Sequence, residues 1–390
     1  MSRLLNADML EEQQAVSKGL QDLQAMPALP AVDWEKIEQN SAQILSFDYQ
    51  GPDAPLPAAD VVVVTWTDAE WSALDHVFCN SSQPRTQNDK SWQKDWKQYS
   101  KGAPLLQLDE KNFNLWGFYR MVQMNGAEGS PMTILLFKAQ THLAYTPYIK
   151  GLAAMTASIL TDTGCRYLYS VGTAGGAGET DLLGNTVVTN GGRLEMTNAH
   201  NKDSDLNKQT FCCDHWFPSF ELIETIEQQL LYPLSNVATW DMYNQLLSRL
   251  QHTPKDSKYY VDMTGITVKD LVNPPLDPTN LHQPAVVNCK DKPLLTTDFY
   301  YIAEASDAEK YCILEMDDAV LAAVAGEKGV NYAFVRNVSD PIVPDCTKDG
   351  KPISKAQSTA WSSIIYSTFG FYTSYNGALA TWATLQKSLT

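Results

Sequence analysis

LEMDDAVLAAVAGEKGVNYAFVRNVSDP, residues 314–341, decides the fold. Glu315 to Lys328 spaces small and apolar residues as a helix does, and YAFVR, 332–336, is a compact strand-like run. A helix feeding directly into a strand is the rhythm of an α/β fold with a mostly parallel sheet. The same rhythm recurs upstream. Val61 to Val64 is a four-valine run of the kind buried on both faces of a sheet, and an apparent helix follows from Asp68 to Val77. MTILLF (132–137), YLYSV (167–171) and NTVVT (185–189) read as further strands. Pro147 to Thr163 and the aromatic-rich stretch from Ser358 to Leu385 read as helices.

Outward from this core the pattern weakens. Leu4, Leu5, Met9, Leu10, Val16, Leu20 and Leu23 suggest a peripheral helical arm, which the prolines at 27 and 30 end. GPDAPLPAAD, 51–60, reads as a linker into the first strand. We therefore expect an arm and linker over 1–55 and one domain over 56–390. Residues 80–125, rich in Trp, Lys, Asp and Asn, and residues 195–290, with several prolines, are expected to be insertions decorating the core.

Composition narrows the partners. Against 45 Asp+Glu stand 29 Lys+Arg, a net charge of -16, which repels phosphate backbones and argues against nucleic acid or an anionic membrane surface as the main partner. No window approaches the apolar length needed to span a bilayer, and the N-terminus carries acidic residues where a signal peptide needs an apolar run. Seven cysteines without CxxC spacing fit reduced thiols in a cytoplasmic protein. Cys212, Cys213, Asp214 and His215 are neighbours, but adjacent residues rarely point at one ion and no second half-site follows. No metal or other cofactor is expected.

In an open α/β sheet, ligands bind beyond the carboxyl ends of the strands, so residues directly following strand-like runs are the candidates. VGTAGGAG, 171–178, brings Gly172, Gly175, Gly176 and Gly178 after a strand. A dinucleotide site would need a helix immediately behind such glycines, and ETDLLGNTVVTN leads to a strand instead. Asp340 ends the run YAFVRNVS and precedes Pro341. It either caps local backbone or, if burial raises its pKa, acts as a general acid for a leaving base, with Ser339 orienting it. Glu315, Met316 and Asp317 either favour a helix N-terminus or hold a ribose diol. Tyr300 and Tyr301 follow Asp298 and are either core residues or a stacking surface for a purine.

Taken together and in this order, these motifs resemble the purine nucleoside phosphorylase and uridine phosphorylase superfamily, most closely its methylthioadenosine/S-adenosylhomocysteine nucleosidase branch. VGTAGGAG with LGNTVVT, the 314–341 stretch quoted above, and more weakly VVVVTWTDAEWSAL (61–74) carry the match. The resemblance implies a three-layer fold with a central twisted, mostly parallel mixed sheet, no cofactor, and a homo-oligomer such as a dimer. It makes Asp340 the acid that protonates the base and Glu70 the carboxylate that activates water. Met316 and Asp317 would hold the ribose, Thr173 and the adjoining Gly175 would lie near base or sugar, and Tyr300 and the backbone around Tyr301 would contact the base. An aspartate at this strand end implies a purine. Two departures stand out: Asp317 replaces the family's glutamate, and KAQTHLAYT (138–146) replaces a Ser-Gly-Ile-Gly turn, placing Thr141 and His142 near the sugar or nucleophile.

Phosphorolysis requires a phosphate site, normally built from arginines and a backbone nest. Neither the first turn nor KAQTHLAYT contains an arginine, and Asp68 and Glu70 would repel phosphate, although Lys138 and Lys150 are near in sequence. Hydrolysis of an adenosine-type purine nucleoside is therefore the leading expectation. A phosphorylase and a non-catalytic nucleoside sensor are the alternatives.

Overall fold

The computed structural model describes residues 26–108, 111–126, 129–300 and 310–388; the arm expected over 4–24 lies outside them. The first strands are β1 (Gln43–Ile44), β2 (Val61–Thr65), β3 (Lys97–Tyr99), β4 (Leu106–Leu108) and β5 (Lys111–Phe113). Next come β6 (Gly117–Asn125), β7 (Pro131–Ala139), β8 (Tyr167–Gly175), β9 (Thr186–Thr189) and β10 (Gly191–Glu195). The last are β11 (Thr210–Cys212), β12 (Val286–Asn288), β13 (Leu294–Thr297), β14 (Leu314–Glu315) and β15 (Asn331–Asp340). The α-helices are α1 (Asp68–Cys79), α2 (Tyr148–Thr163), α3 (Ile223–Gln229), α4 (Trp240–Gln251), α5 (Val268–Leu271), α6 (Asp318–Glu327) and α7 (Lys355–Ser388).

All described strands except β4 and β5 join one mixed sheet. Its centre is parallel. Val61–Thr65 lie in register with Ile134–Lys138 of β7 on one side, and Val61–Val64 with Tyr167–Ser170 of β8 on the other. β15 continues the parallel ladder along β8.

The four valines build the layers, because successive side chains of a strand point to opposite faces. Val61 and Val63 pack with Trp71, Leu74 and Phe78 of α1 and with Trp361 and Phe369 of α7. Val62 and Val64 pack with Leu152 and Met155 of α2 and with Val320 and Leu321 of α6. A strand buried on both faces has no polar positions to alternate, hence the unbroken apolar run. The result is a three-layer α/β fold with helices on each face.

Four expectations need correction. Residues 80–125 are not wholly an insertion, since β6 runs antiparallel along all of β7, from Gly117 opposite Ala139 to Asn125 opposite Pro131. Its sequence hides this because Arg120 interrupts the apolar pattern; its guanidinium donates to the buried Asp75 at 3.0 Å. Residues 195–290 likewise contribute β12, paired with β9, and Ile226, Tyr243 and Leu246, which join the cluster around α7. Tyr243 lies edge-on to Phe369 at 5.9 Å, so α7 is covered on its outer side as well, and its aromatic residues need no polar face. Finally, Gly172 and Gly175 lie within strand β8 rather than after it, and Glu315 ends β14, with α6 starting only at Asp318.

Candidate functional site

The carboxyl ends of β2, β8, β13, β14 and β15 open on a cavity of about 480 Å³, the position expected for a ligand site in such a sheet. Of the expected residues, Glu70, His142, Thr173, Gly175, Tyr300, Glu315, Met316, Asp317 and Asp340 line it. Thr141 does not; it is buried behind the wall, where its carbonyl accepts the Trp66 indole N–H at 3.1 Å. Ser339 lies behind Asp340, fully buried. Tyr301 lies outside the described residues.

Asp340 ends β15 with no cation bonded to it among the described residues. Ser339 Oγ donates to Oδ1 at 2.6 Å and Tyr300 Oη to Oδ2 at 2.9 Å. Burial pushes its carboxyl up to about 6, against the two hydrogen bonds, which favour the charged form. Tyr300 also meets Ser362 Oγ at 2.6 Å, so its hydroxyl fixes the acid, a task that the sequence did not assign to it.

Glu70 is the opposite case. It forms a capping box with Thr67 at the start of α1. Thr65 Oγ1 and the Trp66 and Thr67 N–H groups donate to Oε2 at 3.0, 3.0 and 2.8 Å. The Thr173 N–H and Oγ1 donate to Oε1 at 2.7 and 2.6 Å. Burial opposes the charge, but the Arg336 guanidinium and these donors outweigh it and hold the carboxyl below the usual glutamate range. Gly172 makes the approach possible: a Cβ there would lie 2.5 Å from Arg336 Nη1 and 2.9 Å from Glu70 Oε1.

Arg336, which the sequence reading passed over, lies in the middle of a network. Its Nε donates to Asp318 Oδ2 at 2.7 Å, and its Nη2 donates to Asp318 Oδ1 and, at 2.8 Å, to Ser170 Oγ. Nη2 also lies 3.3 Å from Glu315 Oε2, and the guanidinium stacks 5.1 Å over the Trp66 ring. Glu315 spends its carboxylate on this arginine, on Thr296 Oγ1 and on the Asp317 and Asp318 N–H groups at 2.6 and 3.0 Å. It therefore caps α6 rather than reaching freely into the cavity.

Asp317 faces the cavity. Leu143 N–H donates to its Oδ1 at 3.0 Å, and His142 Nε2 lies 3.3 Å from its Oδ2. Ala144 N–H donates into His142 Nδ1 at 3.1 Å, which leaves the ring proton on Nε2, facing the carboxylate. Burial pushes the imidazole down to about 4, in agreement with that neutral tautomer. Burial also pushes the Asp317 carboxyl up to about 8, with the Leu143 bond and the Arg336 charge opposing it. Each oxygen keeps capacity for a ligand hydroxyl.

Lys138 is buried and donates to Ala139 O at 3.0 Å; neither it nor Lys150 lines the cavity. Thr359, Ser363, Tyr366 and Ser367 of α7 do, and no strand-end motif marked them. Among the described residues no group of three or more His, Cys, Asp or Glu side chains is placed to hold a metal, and no helix is long and apolar enough to cross a membrane.

No family model and no curated protein matches the sequence. Among solved structures, the chain is similar to a 5'-methylthioadenosine/S-adenosylhomocysteine nucleosidase from Helicobacter pylori, at 9% identity and a TM-score of 0.41 over 84% of this chain and 97% of that one. It is also similar to futalosine hydrolase of Helicobacter pylori strain 26695, at 9% identity and a TM-score of 0.42 over 83% and 96% of the two chains. A third similar structure is a putative 5'-methylthioadenosine/S-adenosylhomocysteine nucleosidase from Borrelia burgdorferi B31 bound to adenine, at 11% identity and a TM-score of 0.41 over 83% and 98%.

Proposed function

We propose that this chain hydrolyses the N-glycosidic bond of a purine nucleoside. The observation that carries this reading is Asp340: a carboxyl raised to about 6, bonded to two hydroxyls and, among the described residues, to no cation, on the wall of a nucleoside-sized cavity. As the bond to the base stretches, negative charge gathers on the purine, and the Asp340 proton passes to it. Positive charge gathers on the sugar, and Asp317 and Met316 hold its hydroxyls and its face. Glu70, kept ionised, stabilises that cation and activates a water through the Oε1 lone pair that the Thr173 hydroxyl now occupies: the water oxygen bonds to the anomeric carbon as the bond to the base breaks, and Glu70 takes up the proton the water loses. Two carboxyls with opposed pKa shifts suit the two jobs.

Hydrolysis is favoured over phosphorolysis because the one arginine lining the cavity among the described residues is bonded to Asp318 and Glu315. No uncommitted cation there receives a phosphate. Purified protein incubated with adenosine, inosine or guanosine is expected to release free base at the same rate with and without phosphate, as read by chromatography. Strict dependence on phosphate overturns the hydrolase; no release from any of them or from their 5'-modified forms overturns the nucleosidase.

The acid also sets a pH profile. Asp340 must enter the reaction protonated, so kcat/KM is highest below pH about 6 and falls as pH rises through that value, approaching about tenfold per unit. A rate that instead climbs from pH 6 to 8 excludes Asp340 as the acid.

A further inference from the structure

The cavity face of α7 carries hydroxyls that the chemistry above leaves unused. Thr359, Ser363, Tyr366 and Ser367 fall at i, i+4, i+7 and i+8, one stripe of the helix, and all line the cavity. Hydroxyls in buried helices usually bond back to the carbonyl one turn earlier. Ser367 Oγ does so to Ser363 O at 2.8 Å, and Thr368 Oγ1 to Ile364 O at 2.7 Å. Thr359 and Ser363 do not: among the described residues their side-chain hydroxyls have no hydrogen-bond partner, although both face the cavity. Tyr366 lies beside Thr67, Thr173 and Glu70, which act on its hydroxyl, and lines the cavity with them.

The stripe has a direction. Ser362, on the same helix, meets Tyr300, which holds Asp340, so this part of α7 passes the end where the base departs. One turn later Tyr366 reaches the Glu70 end. From Thr359 to Ser367 the helix rises about 12 Å, close to the length of a purine nucleoside. A nucleoside laid from Asp340 towards Glu70 therefore runs along α7, with its sugar beside Ser363 and Tyr366. Asp317 introduces α6, which covers the opposite face of the sheet from α7. With the diol on Asp317, the 5' carbon turns towards α7.

Resting on the nucleosidase reading, we infer that the site selects an unmodified purine nucleoside, its free 5'-hydroxyl hydrogen-bonded by Ser363 and by the Thr67 and Tyr366 hydroxyls, over 5'-deoxy, 5'-alkylthio and 5'-phosphorylated forms. An analogue without the hydroxyl strands those groups, dehydrated, against an apolar substituent, and such mismatches discriminate strongly. A 5'-phosphate brings negative charge to a cavity that already holds the ionised Glu70, with Arg336 already committed to carboxylates.

The test compares adenosine, 5'-deoxyadenosine, 5'-methylthioadenosine and adenosine 5'-monophosphate by kcat/KM for adenine release, and by thermal shift for binding. Adenosine is expected to lead each of the others by about tenfold or more. Ser363→Ala is expected to narrow its lead over 5'-deoxyadenosine at least about threefold. Cleavage of 5'-deoxyadenosine or 5'-methylthioadenosine at or above the rate of adenosine overturns the inference and leaves the nucleosidase standing. If nothing is cleaved but adenosine shifts the melting temperature and 5'-deoxyadenosine does not, the nucleosidase falls and the 5' selectivity stands. If nothing is cleaved and nothing binds, both fall.

Discussion

Asp340→Asn is expected to slow release of purine base by about 10²–10⁴-fold, the range associated with loss of a general acid, with nucleoside affinity close to that of the unaltered protein. Asparagine keeps the shape of aspartic acid. Its amide oxygen can still accept from Ser339, and its nitrogen can donate to the Tyr300 oxygen, so the wall of the cavity stays in place. What it lacks is a proton that it can surrender. An amide can form a hydrogen bond to the base before the reaction, yet cannot neutralise the charge that grows on it. The substitution thus separates recognition from catalysis: affinity by titration calorimetry is expected to be retained while kcat collapses. A kcat within threefold of the original assigns the proton to another group. Loss of binding together with kcat makes Asp340 a positioning carboxylate instead.

The route from residues to this acid shows what a single sequence discloses. Asp340 was legible because a strand-like run ends on it, and parallel strands deliver their last residues to the ligand edge. The layers were legible too, since four consecutive valines are hard to accommodate except between two covering helices. Glu70 was found through resemblance, and its second role was also written in the chain: Thr67 with Glu70 three residues on is the capping-box spacing.

Other parts were hidden for physical reasons. β6 could not be read as a core strand because Arg120 stands in it, and only the fold brings Asp75 to within 3.0 Å. The hydroxyl stripe of α7 was obscured because that helix is buried on nearly every side, so no apolar stripe marks its inner face. Which side meets the cavity follows only from the sheet beneath it. Arg336 was missed for a related reason. One charge in an apolar strand looks like a solvated position, and its partners, Asp318, Glu315 and Ser170, come from three other elements, α6, β14 and β8.

That arginine carries the largest expected effect on stability. Arg336→Met replaces it with a side chain of comparable length but removes the charge shared by Asp318, Glu315 and Glu70, all of them buried. Removing one partner of a buried ion pair strands the other, and the loss is expected to be about 3–5 kcal/mol. Against a total stability of roughly 5–15 kcal/mol, that brings the protein close to its folding threshold. The midpoint of urea unfolding measures it, and a change under about 1 kcal/mol would show that the network contributes little net stability. Arg336→Lys is the informative companion: it restores a positive charge without the planar fork that bonds both Asp318 oxygens, so recovery should be partial. The same pair of variants links the fold to the site. Arg336 is the strongest influence holding the Glu70 carboxyl low against burial. Without it burial dominates, the carboxyl rises, and the charge that stabilises the sugar cation is lost over part of the pH range in which Asp340 is still protonated. Whatever Arg336→Met retains in folded yield, it is therefore expected to lose activity at the acidic end of the profile first, whereas damage confined to stability would lower the whole profile evenly.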